Sequence, residues 1–383
     1  MIKRIYLDHA AATPLSSAAW MAMEPVLLGN FGNPSSLHRE GVVSANILKS
    51  CHESIAKCIG GHADEIIFTS GATESINLAV FGSLKAGLAK GKHVITVATE
   101  HAAVLGAIRA AGADVTIIPV DDRGHVDAEA IVNAIRPDTV LISVMMANNE
   151  IGVVHDVHHI GKAIEAWRKK NGSVYPLFHS DVSQAPNYLV IDVAVLHVDL
   201  LTLSSSKVYG PKGAGALYIR RNAPWSSVFG GGKQEGGRRP GTENIAGAVG
   251  FASALAESVE MREQESTRLL PLREQLMMGL LEIEGTQLNG DHIRRLPNNV
   301  NASFKGIEGE ELVIRLDAAE IAVSTGSACK GGSEPSHVLA ALGLSTDRIN
   351  SSVRFTLGRS TTESDIRRTI LMVREIILAA RFG

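Results

Sequence analysis

From Glu65 onward, short apolar runs alternate with longer segments whose apolar residues recur at helical spacing. Residues 66–69, 93–98, 115–120, 140–146, 175–178 and 200–203 read as strands, and 73–88, 102–111, 127–135 and 157–170 between them read as helices. An earlier helix is expected over 37–59, capped within Phe31-Gly-Asn-Pro-Ser-Ser36 and stopped by Gly60-Gly61. Alternation of this kind predicts parallel βαβ units with both faces of the sheet covered. In such sheets the functional groups gather beyond the strand carboxyl ends, so the loops there carry the search.

The pattern changes after residue 204. Leu200 to Ile219 holds two apolar runs around Ser204-Ser205-Ser206-Lys207 and a Gly/Pro-rich loop, which predicts a pair of strands with Lys207 at a strand end. Helical spacing resumes over 243–284, with Pro271 marking a kink or a new helix. Strands at 299–304 and 352–357 and helices at 309–318 and 363–381 then form an α+β set. The expected organisation is a large domain over 16–255 and a smaller one built from 1–15 and 256–383.

Composition narrows the class. Of the 383 residues, 45% are hydrophobic and 20% charged, as in an ordinary globular chain, and the net charge of −3 leaves no broad footprint for nucleic acid. Three cysteines, Cys51, Cys58 and Cys329, are too few and too scattered for a disulfide framework or a zinc ribbon, which points to a reducing, cytoplasmic setting. Cys51 and Cys58 lie seven apart on one helix face and read as packing residues. No apolar run is long enough to span a bilayer, and no metal site is expected.

Each strand-end loop admits a plain reading and a chemical one. Ser70-Gly71-Ala72-Thr73-Glu74 is either a simple helix cap or a phosphate cradle formed by free N–H groups at a helix start. His101 caps a helix or covers an aromatic ring. Asp181 at a buried strand end needs a partner, either a structural arginine or a protonated ring nitrogen. Lys207 is a solvated loop lysine or the amine that holds a carbonyl cofactor. The loop from Gly230 to Thr242 matches neither a dinucleotide fingerprint nor a P-loop, and is either a mobile surface loop or one reaching a neighbouring subunit. Cys329, among small residues and beside Lys330, reads as a reactive thiolate rather than a structural cysteine. Arg354 lies in an apolar strand, where a guanidinium needs an anion.

Ser70-Gly-Ala-Thr-Glu74, Thr99-Glu-His101, Asn148-Asn-Glu-Ile-Gly152, Asp181, Lys207-Val-Tyr-Gly-Pro-Lys-Gly213, Arg239-Pro-Gly-Thr242, Ser327-Ala-Cys329 and Arg354 occur in one order along nearly the whole chain. The set resembles the NifS/IscS-type cysteine desulfurases, pyridoxal-phosphate enzymes of the aspartate-aminotransferase fold. The resemblance implies an α/β fold with a large, mostly parallel sheet domain and a smaller α+β domain. It implies that Lys207 carries the cofactor covalently, Asp181 pairs with the pyridine nitrogen, His101 lies against the ring, and Asn149 and Gln184 sit near the phenolic oxygen. Ala72, Thr73, Ser204 and Ser206 would meet the phosphate, with Thr242 reaching in from the other subunit of a homodimer. Arg354 and Asn33 would grip the carboxylate of L-cysteine, and Cys329 would take its sulfur as a persulfide for an acceptor protein, an iron–sulfur scaffold or a thiolation enzyme. A selenocysteine lyase or another β-lyase on this fold is the alternative; a non-catalytic sulfur-transfer scaffold fits less well because Lys207, Asp181 and His101 are all in place. Two departures stand out: Ser206 replaces the family's usual histidine, and the segment from Cys329 to Glu334-Pro-Ser is slightly short.

Overall fold

The computed structural model describes residues 4–326 and 335–382. Its centre is a seven-stranded sheet in the order β2-β8-β7-β6-β5-β3-β4. The strands are β2 (Ile66–Thr69), β3 (His93–Val97), β4 (Asp114–Ile118), β5 (Thr139–Ser143), β6 (Leu177–Asp181), β7 (Leu200–Ser204) and β8 (Gly215–Ile219). Pairing is parallel from β4 through β7, whereas β8 runs against both β7 and β2. The mostly parallel sheet expected from the sequence is what the structure has, and the strand pair expected around Lys207 supplies its antiparallel part, since the short turn after Lys207 folds β8 back on β7.

Helices α3 (Ala72–Ala86), α4 (Ala102–Ala110), α5 (Ala128–Asn133) and α6 (Val157–Asn171) connect these strands. Two apolar clusters cover the sheet, one containing Ile95, Ile142, Phe178 and Leu201, the other Val94, Leu141, Leu177 and Leu200. Neighbouring residues of each strand thus face opposite clusters, which is why the strands read as continuous apolar runs. The basic end of α6 stops at Gly172, whose φ of 58° is the left-handed cap conformation.

Two helices precede the sheet. α1 (Ser17–Gly29), which the sequence reading does not anticipate, is capped by the Ser16 hydroxyl, and many of its larger apolar residues are exposed. α2 (Arg39–Ile59) starts later than expected and takes His38 as its cap. Cys51 is buried and Cys58 packs against the core beside it, as their spacing implies; burial alone pushes the Cys51 thiol up to about 12.

Helix α7 (Ile245–Leu281) passes through Pro271 as one element, so no new helix begins there. Its first half packs into the sheet core through Phe251 and Leu255, its second into a separate apolar cluster through Leu269, Leu276 and Leu280. That second cluster unites a three-stranded sheet, β9 (Thr286–Leu288), β10 (Asn299–Phe304) and β12 (Ser352–Thr356), with α8 (Gly309–Ala318) and α11 (Glu363–Phe382). The pair β1 (Ile5–Tyr6) and β11 (Ile321–Ala322) joins it, while α9 (His337–Ala341) and α10 (Thr346–Asn350) lie alongside. No helix among the described residues is long and apolar enough to cross a membrane.

Candidate active site

Parallel pairing brings the carboxyl ends of β3, β5, β6 and β7 to one edge of the sheet, and the loops leaving them enclose a cavity of about 380 Å³. Ala72, Thr73, His101, Asn149, Asp181, Gln184, Ser204, Ser206, Lys207 and Arg354 all line it. Ten residues chosen from separate stretches of sequence therefore converge on one space.

At one wall α3 begins. Its N-cap is Gly71, with φ 148°, and no side chain caps the helix, so backbone N–H groups at Ala72 and Thr73 remain for a ligand. A Cβ on Gly215 would come within 2.6 Å of Gly71 Cα, so glycine at 215 lets the helix start lie close against β8. Across from it, Ser204 and Ser206 share a hydroxyl contact of 3.2 Å. Glu74 accepts from Ser70 N and from Arg239, which ties the glycine-rich loop down beside this corner.

Asp181 is nearly buried at the end of β6. Its Oδ1 accepts from Ser183 N at 2.9 Å and Ser183 Oγ at 2.6 Å, and no arginine or lysine among the described residues pairs with it. The structural-arginine reading is thereby removed. A buried carboxylate at the cavity wall that forms no salt bridge with an arginine or lysine suits a protonated ring nitrogen, so the donor set fits pyridoxal phosphate. Opposite, Lys207 Nζ donates to the carbonyl oxygens of Ala10, at 2.8 Å, and Ala11.

His101 caps α4. Its Nδ1 accepts from Ala103 N at 3.1 Å, which leaves the proton of the neutral ring on Nε2. Burial pushes this imidazole below its ordinary value, although the charge of Asp181 opposes the shift. A neutral ring is what a stacking partner for an electron-poor pyridine requires.

Arg354, 2% exposed, finds the anion its strand position demands in Asp8, at 2.7 Å, and also donates to Asn149 O at 3.0 Å. Its Nε is buried without a partner. Sequence reasoning missed Asp8, Ala10 and Ala11; the signal was the small-residue turn Asp8-His-Ala-Ala-Ala-Thr-Pro14, which delivers the amino-terminal segment to the lysine. Gln184 Nε2 donates to the same Ala10 carbonyl at 3.0 Å.

Two expected residues are not in the cavity. Asn33 is exposed before α2, its Oδ1 accepting from Ser35 N, and Thr242 is exposed on the loop before α7. Cys329 lies outside the described residues, as does the shortened segment that follows it; Gly326, just before it, lines the cavity.

The geometry agrees with comparison to known proteins. Residues 5–369 match the family described as Aminotransferase class-V. The chain is 42% identical to the cysteine desulfurase IscS of Dictyoglomus turgidum over 98% of its own length and 95% of the relative's. It is 44% identical to the IscS of Methanosarcina thermophila, covering 99% and 93%. A solved NifS-like protein superposes with a TM-score of 0.92 at 32% identity, covering 98% of this chain and all of that one. The chain belongs to the class-V aminotransferase family, among the cysteine desulfurases of the IscS and NifS type.

Proposed function

We propose that the protein converts L-cysteine to L-alanine with pyridoxal phosphate as cofactor, and that Cys329 receives the sulfur. The observation that carries this reading is the convergence of Lys207, Asp181, His101, the uncapped start of α3 and Arg354 on one cavity. The balance is L-cysteine plus the Cys329 thiol giving L-alanine plus a Cys329 persulfide. The substrate C–S bond breaks, an S–S bond forms, and no external oxidant is needed.

When bound, the cofactor supplies an electron sink for the Cα carbanion. The chain's own residues do the rest. Ala72, Thr73, Ser204 and Ser206 hold the phosphate by N–H and hydroxyl donors, with Thr242 contributed by the second subunit of a homodimer. Asp181 keeps a proton on the ring nitrogen, His101 covers the ring, and Asn149 and Gln184 orient the phenolic oxygen. Lys207 would anchor the cofactor through its amine, and the same amine would move the substrate Cα proton. Arg354 binds the substrate carboxylate, using donors that Asp8 and Asn149 O leave over. The Cys329 thiolate attacks the substrate sulfur.

The same reading divides the chain into 16–255, which binds the cofactor, and 1–15 with 256–383, which carries the cysteine segment. Separate apolar clusters on the two halves of α7 support that division. Persulfide sulfur then passes to an acceptor protein, and the enzyme works in the cytoplasm.

Lys207→Ala is expected to lose borohydride-fixable cofactor. Cys329→Ser is expected to keep the cofactor's colour and bind cysteine while forming little alanine. Mass spectrometry of wild type after incubation with cysteine should find the added sulfur on Cys329; alanine formation at the wild-type rate by Cys329→Ser would overturn the relay.

A further inference from the structure

The turn that carries Lys207 is held from outside the cavity by contacts that the chemistry above does not use. Tyr209, two residues past the lysine, is buried with a φ of 63°, a left-handed conformation that a bulky residue keeps only when its surroundings hold it. Its N–H donates to Thr13 Oγ1 at 2.7 Å, and its carbonyl accepts from Ser16 N at 2.8 Å. Those bonds fix the backbone, and the side chain reaches further.

The partner of that side chain is Arg359, in the turn between β12 and α11. Its backbone N–H donates to the Tyr209 hydroxyl at 2.9 Å, and its guanidinium carbon lies 4.1 Å from the centre of the Tyr209 ring. The guanidinium also donates to Ser258 Oγ at 3.1 Å, and Ser258 donates in turn to Val208 O at 3.2 Å. Glu257, beside Ser258 on α7, pairs with the guanidinium and holds it there. Three routes therefore run from one arginine to the two residues that follow Lys207.

Arg359 is tied just as firmly to Arg354. Between them β12 is in register with β10, Arg354 opposite Asn301 and Thr356 opposite Asn299, and Leu357 N donates to Asn298 O at 2.8 Å. Gly358 lies so close to the His9 ring that a Cβ there would come within 2.2 Å of it. A shift at Arg359 is thus passed along a paired strand to Arg354. Arg268 on α7 separately donates to the carbonyls of Gly358, Arg359 and Thr361, so the turn keeps its shape without the Arg359 side chain.

We propose that Arg359 is a positioning residue: through Tyr209 and Ser258 it fixes the Lys207 turn against the end of β12, and so sets the spacing between Lys207 and Arg354, the two anchors of an amino-acid substrate. The anchoring role of Arg354 rests on the function proposed above. Misplacing two anchors by about 1 Å is enough to cost roughly a hundred-fold in rate, so the spacing matters even where both side chains are intact.

The test uses the holoenzyme and two amines that are not desulfurated, L-alanine and ethylamine, the second being alanine without its carboxylate. Binding of each is read from the change in cofactor absorbance. Arg359→Ala should weaken L-alanine by up to the worth of one charge-assisted hydrogen bond, about ten- to a hundred-fold, while ethylamine binding and the rate of cofactor release stay at wild-type values. Arg359→Lys, which keeps a cation over the ring, should recover part of the loss, and Tyr209→Phe, which removes only the hydroxyl, should show a smaller loss of the same kind. Equal weakening of both amines, faster cofactor release, or L-alanine bound by Arg359→Ala as tightly as by wild type would overturn the proposal. Arg354→Ala tests the parent reading by itself: it should bind the two amines alike, and if it kept the wild-type preference for L-alanine the carboxylate role would fall. If Arg354→Ala behaves as expected and Arg359→Ala matches wild type, only the spacing role of Arg359 falls.

Discussion

Ser206 stands where the resembled family usually carries histidine, and the structure gives its hydroxyl a place on the cavity wall beside Ser204. A hydroxyl donating to a phosphate contributes about 1.5–3 kcal/mol, so Ser206→Ala should weaken cofactor retention roughly ten- to a hundred-fold while Lys207 still anchors the cofactor. Equal dissociation rates in wild type and variant would remove Ser206 from the phosphate site. Residues of a different kind govern the response to acid. His9, His155 and His179 are buried and held neutral, each pushed down to about 4 by burial, and both ring nitrogens of His9 and His155 lack partners. Below the ordinary histidine value the unfolded chain binds protons that the folded chain refuses. Stability contributed by these rings is therefore present above pH 6.5 and lost as pH falls through 4, by up to about 3 kcal/mol per ring. Glu100 acts oppositely, favouring the fold below 4.5 and losing that contribution as pH rises through 8, but one carboxyl is outweighed by three rings on the acid side. Urea midpoints should fall steeply from pH 7 to 4.5; a flat profile would mean that these histidines protonate in place.

At the scale of elements, the loops after β2, β3, β5, β6 and β7 were legible because each follows a buried strand built on a short apolar run and carries residues that a buried sheet edge does not otherwise tolerate. Asp181 and Arg354 could be flagged by charge in apolar surroundings. Their partners could not, since Asp8 is brought to Arg354 from the far end of the chain, and no local pattern encodes that distance. Helix α1 escaped notice because its apolar residues are spread around it instead of forming a stripe, which leaves no clean period to read. Pro271 misled because a proline is a breaker only where tertiary packing does not hold the helix on either side, and both halves of α7 are packed. Where two elements touch backbone to backbone, the contact is testable. Ala at Gly215 would press on Gly71 Cα, Gly71 C and Leu203 O, all within 3.0 Å and none able to rotate away. Gly215→Ala should cost about 1–3 kcal/mol in denaturant unfolding and, by shifting the start of α3, speed cofactor loss. Unchanged values for both would show that β8 yields without moving the helix.

At the scale of the whole molecule, one surface remains unexplained by the single chain. α1 and α2 pack on α7 yet leave Trp20, Met21, Leu28, Phe31 and Leu37 exposed, the last two at 86% and 97%. Large apolar side chains left exposed this close together in sequence are what the homodimer proposed above would cover. Thr242 sits on the loop that leads into α7, exposed and outside its own chain's cavity, while Arg239 of that loop is fixed to Glu74 at the start of α3. A twofold pair burying the α1 and α2 surface would carry this loop toward the other cavity, so each site would combine Lys207 of one chain with Thr242 of the other. Mixing Lys207→Ala with Thr242→Ala chains then yields hybrid dimers in which one site lacks both residues and the second has both. Since random exchange makes half the dimers hybrid, the mixture should recover about a quarter of wild-type alanine formation, above either parent. If Thr242 served its own chain instead, hybrids would contain no intact site, and the mixture would fall below the Thr242→Ala parent by dilution with the inactive lysine variant.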